Sequence, residues 1–260
     1  MKASNIEESV SSIRYENEGL PQKEELSTPW LLEKLDPSAI ASRTLVKSLY
    51  INNEALVQNI QRHEASRGRL YADIYEELLN KNGMSLKDSK ILEVGAGPGA
   101  LCLALQEKGA KVVSLDIRDG RIFHSTDVPF LIADGRGLPF LDGSFDIVSL
   151  TSVLHHVPEK FRRPLLDEAL RVSEVLLIQE DCLTHSPKDT LMKIVDDAVS
   201  GEIGTHQAGS HMTKDQWVDY FKENRLEILG SRDHYPEWLG VGIQKSFFVV
   251  TKTEAESKRG

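Results

Sequence analysis

The chain has 260 residues, 40% of them hydrophobic and 27% charged. A chain of this length can bury roughly 70–75% of the surface it exposes when unfolded, so a self-sufficient core needs no disulfide staples. The formal net charge of −9 lacks the cationic excess that a generic grip on nucleic acid or on an anionic membrane requires, and no apolar run reaches the ~18 residues of a membrane span.

Taken in chain order, residues 1–28 are polar and read as a tail. They carry no apolar segment of the kind a secretory signal needs. The two cysteines, Cys102 and Cys182, are far apart and form no CxxC pair, which suits a reducing, cytoplasmic setting. Residues 29–84 form an N-terminal helical region. From Pro37 to Leu79 the apolar residues recur at three- and four-residue spacings, predicting two or three helices, the last ended by Asn82-Gly83.

Residues 85–253 alternate short apolar runs with helical stretches. The runs are Lys90–Val94, Val112–Leu115, Phe130–Ile132, Phe145–Leu150, Val175–Ile178, Glu227–Leu229 and Phe247–Val250. The helices between them are predicted over Ala100–Lys108, Glu159–Val172, Lys188–Val199 and Lys214–Asn224. This alternation predicts an α/β domain with a mostly parallel sheet. Residues 183–213 read as a helical cap inserted over the sheet's carboxyl edge, and 254–260 as a tail.

The segment Ile91-Leu92-Glu93-Val94-Gly95-Ala96-Gly97-Pro98-Gly99-Ala100 runs an apolar strand into a glycine-rich turn that opens a helix. Such glycines let backbone approach a ligand closely, and the helix start offers unpaired amides. A second strand ends about twenty residues on in Asp116, placed to accept both hydroxyls of a ribose. The pattern predicts a nucleoside-containing cofactor. Gly95, Gly97 and Ala100 also satisfy the dinucleotide fingerprint. Three features point away from a nicotinamide: Pro98 inside the turn, Glu93 where a cationic ligand suits better than a pyrophosphate, and no Tyr-x-x-x-Lys pair.

The series Glu93-Val94-Gly95-Ala96-Gly97-Pro98-Gly99, then Asp116, Ala133-Asp134-Gly135, Leu138-Pro139-Phe140, Gly143-Ser144-Phe145-Asp146-Ile147-Val148 and Val153-Leu154-His155-His156-Val157 resembles class I S-adenosylmethionine-dependent methyltransferases of the type 11 domain. The resemblance covers roughly residues 88–182. It implies a Rossmann-like seven-stranded sheet with an antiparallel last strand, and S-adenosylmethionine as cofactor. Gly95, Ala96, Gly97 and Gly99 would form the turn beneath the methionine part and ribose, and Glu93 would organise the ammonium end. Asp116 would hold the ribose, Ile117 would lie against the adenine, and Asp134 with the Gly135 amide would read its edge. Thr151 would contact the methionine end. Two departures stand out: only a short turn fits between Asp116 and Phe130, and the common Leu-Lys-Pro-Gly-Gly turn is replaced by Leu170-Arg171-Val172-Ser173-Glu174.

Methyl transfer needs alignment first and a base only when the nucleophile must lose a proton. His155, with His156 beside it, and Asp181 are the candidate catalytic residues. Only one of Glu180 and Asp181 should face the pocket, since strand side chains alternate. No metal site is expected, because Asp196, Asp197, Glu202, His206 and His211 have no diagnostic spacing. Trp217 and Tyr220 read as packing residues, Cys102 as core, and Trp238 as a stacking residue or a loop pin. The expected acceptor is a small molecule methylated at O or N, with no membrane partner. The alternatives are an RNA or protein methyltransferase using a basic strip at Arg62, Arg67, Arg69, Arg162 and Arg163, a non-catalytic cofactor-binding regulator, and a nicotinamide oxidoreductase.

Overall fold

A computed structural model describes residues 54–123, 125, 127–186, 189, 211–235, 237–238, 241–242 and 244–253. The expectations for the two tails, the helix at Lys188–Val199 and most of the cap lie outside the described residues. Of the predicted N-terminal helices, the described residues include one, α1 (Glu54–Lys81). Its apolar stripe is Tyr71, Ile74, Tyr75, Leu78 and Leu79, all buried. It ends as its sequence predicts: Met84 N–H reaches back to Leu79 O at 3.0 Å, and Gly83 turns left-handed at φ 72°.

The strands and helices that follow are β1 (Lys90–Val94), α2 (Ala100–Glu107), β2 (Lys111–Asp116), β3 (Phe130–Ile132) and β4 (Ile147–Thr151). A short 3-10 turn at Leu154–His156 leads to α3 (Glu159–Val172), β5 (Val175–Cys182), α4 (Lys214–Glu223), β6 (Leu226–His234), the small pair β7 (Glu237–Trp238) and β8 (Val241–Gly242), and β9 (Gln244–Lys252). The main sheet has seven strands in the order β3-β2-β1-β4-β5-β9-β6. β1 to β5 pair in parallel, and β9 runs antiparallel to both β5 and β6. The terminal hairpin and the Rossmann-like sheet are therefore as expected. As the spacing required, no helix lies between β2 and β3 among the described residues.

Alternation along the strands divides the core in two. Ile91, Val112, Ile147, Leu177, Phe247 and Val249 face α1 and α2. Leu92, Val113, Val148, Leu150, Leu176, Ile178, Phe248 and Val250 face α3 and α4, where Trp217 and Phe221 are buried. The same parity governs the polar ends of these strands. Glu93, Ser149, Thr151, Gln179, Asp181 and Lys245 fall on the α1 face, and Glu180 on the α3 face.

Several predicted boundaries shift. β5 continues four residues beyond the apolar run that ends at Ile178 and keeps Glu180 and Asp181 in the strand, because antiparallel pairing with β9 runs on through Asp181↔Lys245 to Cys182↔Gln244, and β6 and β9 are likewise longer than their apolar runs. β4 begins at Ile147 rather than Phe145, whose ring packs edge-on against Phe140.

Candidate functional site

β1 delivers the chain into a turn with three left-handed glycines, Gly95 (φ 76°), Gly97 (φ 48°) and Gly99 (φ 84°). The amides of Gly95 and Ala96 both donate to Leu115 O, at 2.8 and 3.0 Å, which ties the turn to the end of β2. A side chain at Gly95 would place its Cβ 2.5 Å from Val153 Cγ2, so glycine is required there by space as well as by φ. Asp116 Oδ2 accepts from Gly97 N–H at 2.9 Å and its Oδ1 from Arg118 N–H at 3.2 Å. The carboxylate is thereby fixed at the rim of the turn. Beside it Ile117 is 49% exposed, and Ile132, the register partner of Asp116, is 57% exposed. Both are large apolar side chains left exposed near the end of β2. Sequence reasoning found only the first, because the pairing of β3 with β2 is not visible in a three-residue run.

Asp134 and Gly135 follow β3. Burial raises the Asp134 carboxyl, but the hydrogen bonds and charge of Arg136 outweigh it and hold the group below its ordinary value. Gly135 is closely packed: a Cβ there would sit 2.6 Å from Leu165 Cδ1 and 3.0 Å from Val94 Cγ1.

The floor of the site is Glu93. It is 2% exposed, and its Oε2 has no hydrogen-bond partner among the described residues. Burial pushes its carboxyl up to about 8, with a hydrogen bond to Ser149 acting the other way. Ser149 Oγ lies 3.2 Å from Thr151 Oγ1, which in turn is 2.9 Å from the Tyr75 phenol oxygen. Glu64, Arg67, Gly68 and Tyr71 of α1 close over the turn, so that an open recess lies between the helix and Glu93, Gly95, Ala96, Thr151 and Ser152. A buried carboxyl oxygen with no partner among the described residues, next to a recess of this kind, calls for an explanation.

Beyond β4, Ser152 is held left-handed at φ 55°. Its amide donates to Gln179 O at 2.8 Å and its hydroxyl to Gln179 Oε1 at 2.7 Å. Gln179 Nε2 donates to Asp181 Oδ1 at 2.9 Å, and Asp181 is paired with Lys245. Burial works against the charge of both partners. The Lys245 ammonium nevertheless holds Asp181 below its ordinary value, and Asp181 holds Lys245 above its own.

His155 lies on the opposite face. Its Nδ1 is 2.6 Å from Glu180 Oε2, and Glu180 also accepts from the amides of Leu154 (2.8 Å) and His155 (3.2 Å). The His155 ring packs 4.1 Å from His156 and 4.7 Å from His211. As the strand alternation required, only Asp181 of the carboxylate pair is on the recess side. Both catalytic candidates are thus built into buried pairs, with Glu180 and with Lys245. Sequence reasoning missed Tyr75, Ser149, Gln179 and Lys245; the period of two along β4, β5 and β9 was the available signal.

Of the arginines of the expected basic strip, Arg62 is exposed on α1, with Nε donating to Gln58 O at 3.3 Å. Arg162 is buried, with Nε donating to Leu154 O and Val157 O at 2.9 and 3.0 Å. Arg67, Arg69 and Arg163 pair with Glu64, Glu107 and Asp167. Cys102 is core, its thiol pushed up by burial. Asp196, Asp197, Glu202, His206 and the side chain of Trp238 lie outside the described residues. Among the described residues no cluster of three or more His, Cys, Asp or Glu is placed to hold a metal, and no helix is long and apolar enough to cross a membrane.

Comparison with known proteins agrees with the motif series. Residues 92–174 match the family described as a methyltransferase domain, type 11. An uncharacterized methyltransferase of Mycolicibacterium gilvum is 35% identical over 97 residues, 35% of this chain and 37% of that protein. The demethylmenaquinone methyltransferase of Clavibacter sepedonicus is 40% identical over 90 residues, 32% of this chain and 36% of that protein. The match thus spans somewhat over a third of the length of these curated relatives. Among solved structures, the 1,6-didemethyltoxoflavin-N1-methyltransferase of Burkholderia thailandensis, with bound 1,6-didemethyltoxoflavin and S-adenosylhomocysteine, is similar over 93% of this chain and 95% of that one. Its TM-score is 0.57 and its identity 14%. A magnesium protoporphyrin IX methyltransferase of Synechocystis with bound S-adenosylhomocysteine is similar over 81% of this chain and all of that one (TM-score 0.52, identity 15%).

Proposed function

We propose that this chain, whose residues 92–174 form a methyltransferase domain of the type 11 family, binds S-adenosylmethionine and passes its methyl group to an oxygen or nitrogen atom of a small-molecule acceptor. The observation that carries the donor is the buried, unpartnered Glu93 Oε2 beneath the glycine turn, because an α-ammonium is a cation of the right size for that position. The residues present fit the rest of the donor. Asp116 stands where it can take the ribose hydroxyls. Ile117 and Ile132 form an apolar shelf for the adenine, with Asp134 and Gly135 at its edge. Gly95, Ala96, Gly97 and Gly99 leave space for the ligand beneath α1, and Thr151 meets the methionine end.

When bound, S-adenosylmethionine would supply an electrophilic methyl whose bond to the sulfonium sulfur breaks as the acceptor lone pair bonds to the carbon, leaving a neutral thioether. The chain's contribution is alignment. The Ser152–Gln179–Asp181–Lys245 chain of contacts fixes the ends of β4 and β5 on the α1 face. The Glu180–His155 pair fixes the following turn from the other side. α1 covers one side of the recess in which the donor would lie. The broken basic strip counts against a nucleic-acid acceptor.

Thermal unfolding with S-adenosylmethionine, S-adenosylhomocysteine and NAD(H) tests the donor. A ligand at 100 times its Kd adds about 2.7 kcal/mol of stability. The two sulfur nucleosides should stabilise the wild type and NAD(H) should not, and Asp116→Ala should lose most of the effect. No shift with either sulfur nucleoside would end the reading.

A further inference from the structure

We propose that Arg136 makes the donor site indifferent to the purine 6-amino group: it fills the Asp134 carboxylate, which stands where that group would be read. The inference rests on the function proposed above and adds a specificity-determining residue at the purine end of the same site. Asp134 and Arg136 flank Gly135 in the turn after β3, and the turn is fixed on both sides. Ala133 N–H donates to Asp116 O at 3.0 Å, and Gly137 N–H donates to Asp134 O at 3.1 Å. Gly135 has no room for a side chain between Leu165 and Val94.

Within this frame both carboxylate oxygens are engaged. Oδ1 accepts from the Arg136 amide and from its Nε, each at 3.0 Å. Oδ2 accepts from Nε at 3.0 Å and from Nη2. A carboxylate offers about four lone-pair sites, and these contacts, all from one residue, occupy them. The guanidinium is seated in turn: its Cζ lies 4.3 Å from the centre of the Phe161 ring on α3. Arg136 and Asp134 are only 28% and 31% exposed, so this bidentate fork is not a fully solvated surface pair. A purine 6-amino group is a donor, and here it meets oxygens that are already bonded. To gain a hydrogen bond it must displace one from Arg136, which is at best an even exchange. A purine with hydrogen at position 6 therefore loses nothing. An open carboxylate would behave differently, because a charged acceptor facing the amino group is worth about tenfold in affinity.

The probes are S-adenosylhomocysteine and its analogue with hydrogen in place of the 6-amino group, each titrated calorimetrically into the full chain. The wild type should bind the two within about threefold of each other. Arg136→Met keeps an apolar stem against Phe161 and removes the fork. S-adenosylhomocysteine should then bind about tenfold more tightly than the analogue. Asp134→Ala should leave the wild-type ratio as it is. A general loosening of the turn weakens both ligands alike, so the ratio reports the contact with the base and not the fold. A wild type that prefers S-adenosylhomocysteine by more than about threefold, or a ratio unchanged by Arg136→Met, would overturn the inference while leaving the donor site standing. No binding of S-adenosylhomocysteine by the wild type would overturn the proposed function together with it.

Discussion

At the scale of single residues, Glu93 separates stability from binding. In the unfolded chain its carboxyl titrates near 4.5, and in the folded chain at about 8. Between those values the folded state holds a proton that the unfolded state has released. Stability therefore falls as pH rises through this window, and the loss is complete only above about 8. The penalty at pH 7 is on the order of 3 kcal/mol. Glu93→Gln keeps the shape, cannot ionise, and should make the ligand-free protein more stable at pH 8 but not at pH 4.5. Urea unfolding at the two pH values measures it. A variant no more stable than wild type at pH 8 would mean that solvent reaches the carboxyl after all. A residue kept at a cost to the fold is the expected mark of a binding group.

At the scale of elements, the sheet's last parallel strand and its antiparallel neighbour are locked by one buried ion pair. Asp181 and Lys245 face each other across β5 and β9 with both side chains about nine-tenths buried. Removing one partner strands the other charge. Asp181→Ala should cost about 3–5 kcal/mol, whereas Asp181→Leu with Lys245→Met should recover most of it. Denaturant unfolding of the set gives the coupling, and additive losses would show the pair to be solvated.

This pair also shows where the sequence stopped being legible. The strand and helix positions were readable, because apolar alternation and turn residues are local signals, and α3 was predicted to the residue. The glycine turn was readable too, since Gly95, Gly97, Gly99 and Asp116 lie within one strand-turn-helix-strand unit. The pairing of β5 with β9 joins residues more than sixty positions apart, and no local pattern reports it. Lys245 therefore has no local signal, and Asp181 reads from the sequence as a catalytic candidate. His155 was read the same way, because the Glu180 carboxylate that clamps it arrives from the next strand. Strand parity alone did assign Glu180 and Asp181 to opposite faces.

At the scale of the whole molecule, α1 joins the two ends of the sheet. It packs on α2 and also on β9, where Phe247 meets Tyr71 and Tyr75 edge-on at 4.9 and 5.6 Å between ring centres. Lys108 beyond α2 pairs with Asp73 (2.7 Å) and Glu76 (2.6 Å), and Arg232 of β6 pairs with Glu77. The crossing with α2 is close: a Cβ on Gly68 would come 2.7 Å from Ala100 O, which is backbone and cannot step aside. Gly68→Val should push the helix outward, cost about 1–3 kcal/mol, and weaken S-adenosylhomocysteine binding by loosening the roof of the recess. Calorimetric titration and urea unfolding read the two effects. Unchanged stability and affinity would show that α1 is only loosely seated.

The Tyr71–Phe247 contact also sets a timetable. The glycine turn and its four parallel neighbours are complete once residue 182 has been synthesised, but the aromatic ring on which α1 rests belongs to the strand made after α4 and β6. Synthesis runs from the N-terminus, so the part of the α1 stripe that Phe247 covers waits for β9 to arrive, while α2 and β1 cover the rest earlier. A nascent chain paused before Phe247 would carry every residue of the glycine motif and still lack the ring that seats Tyr71 and Tyr75.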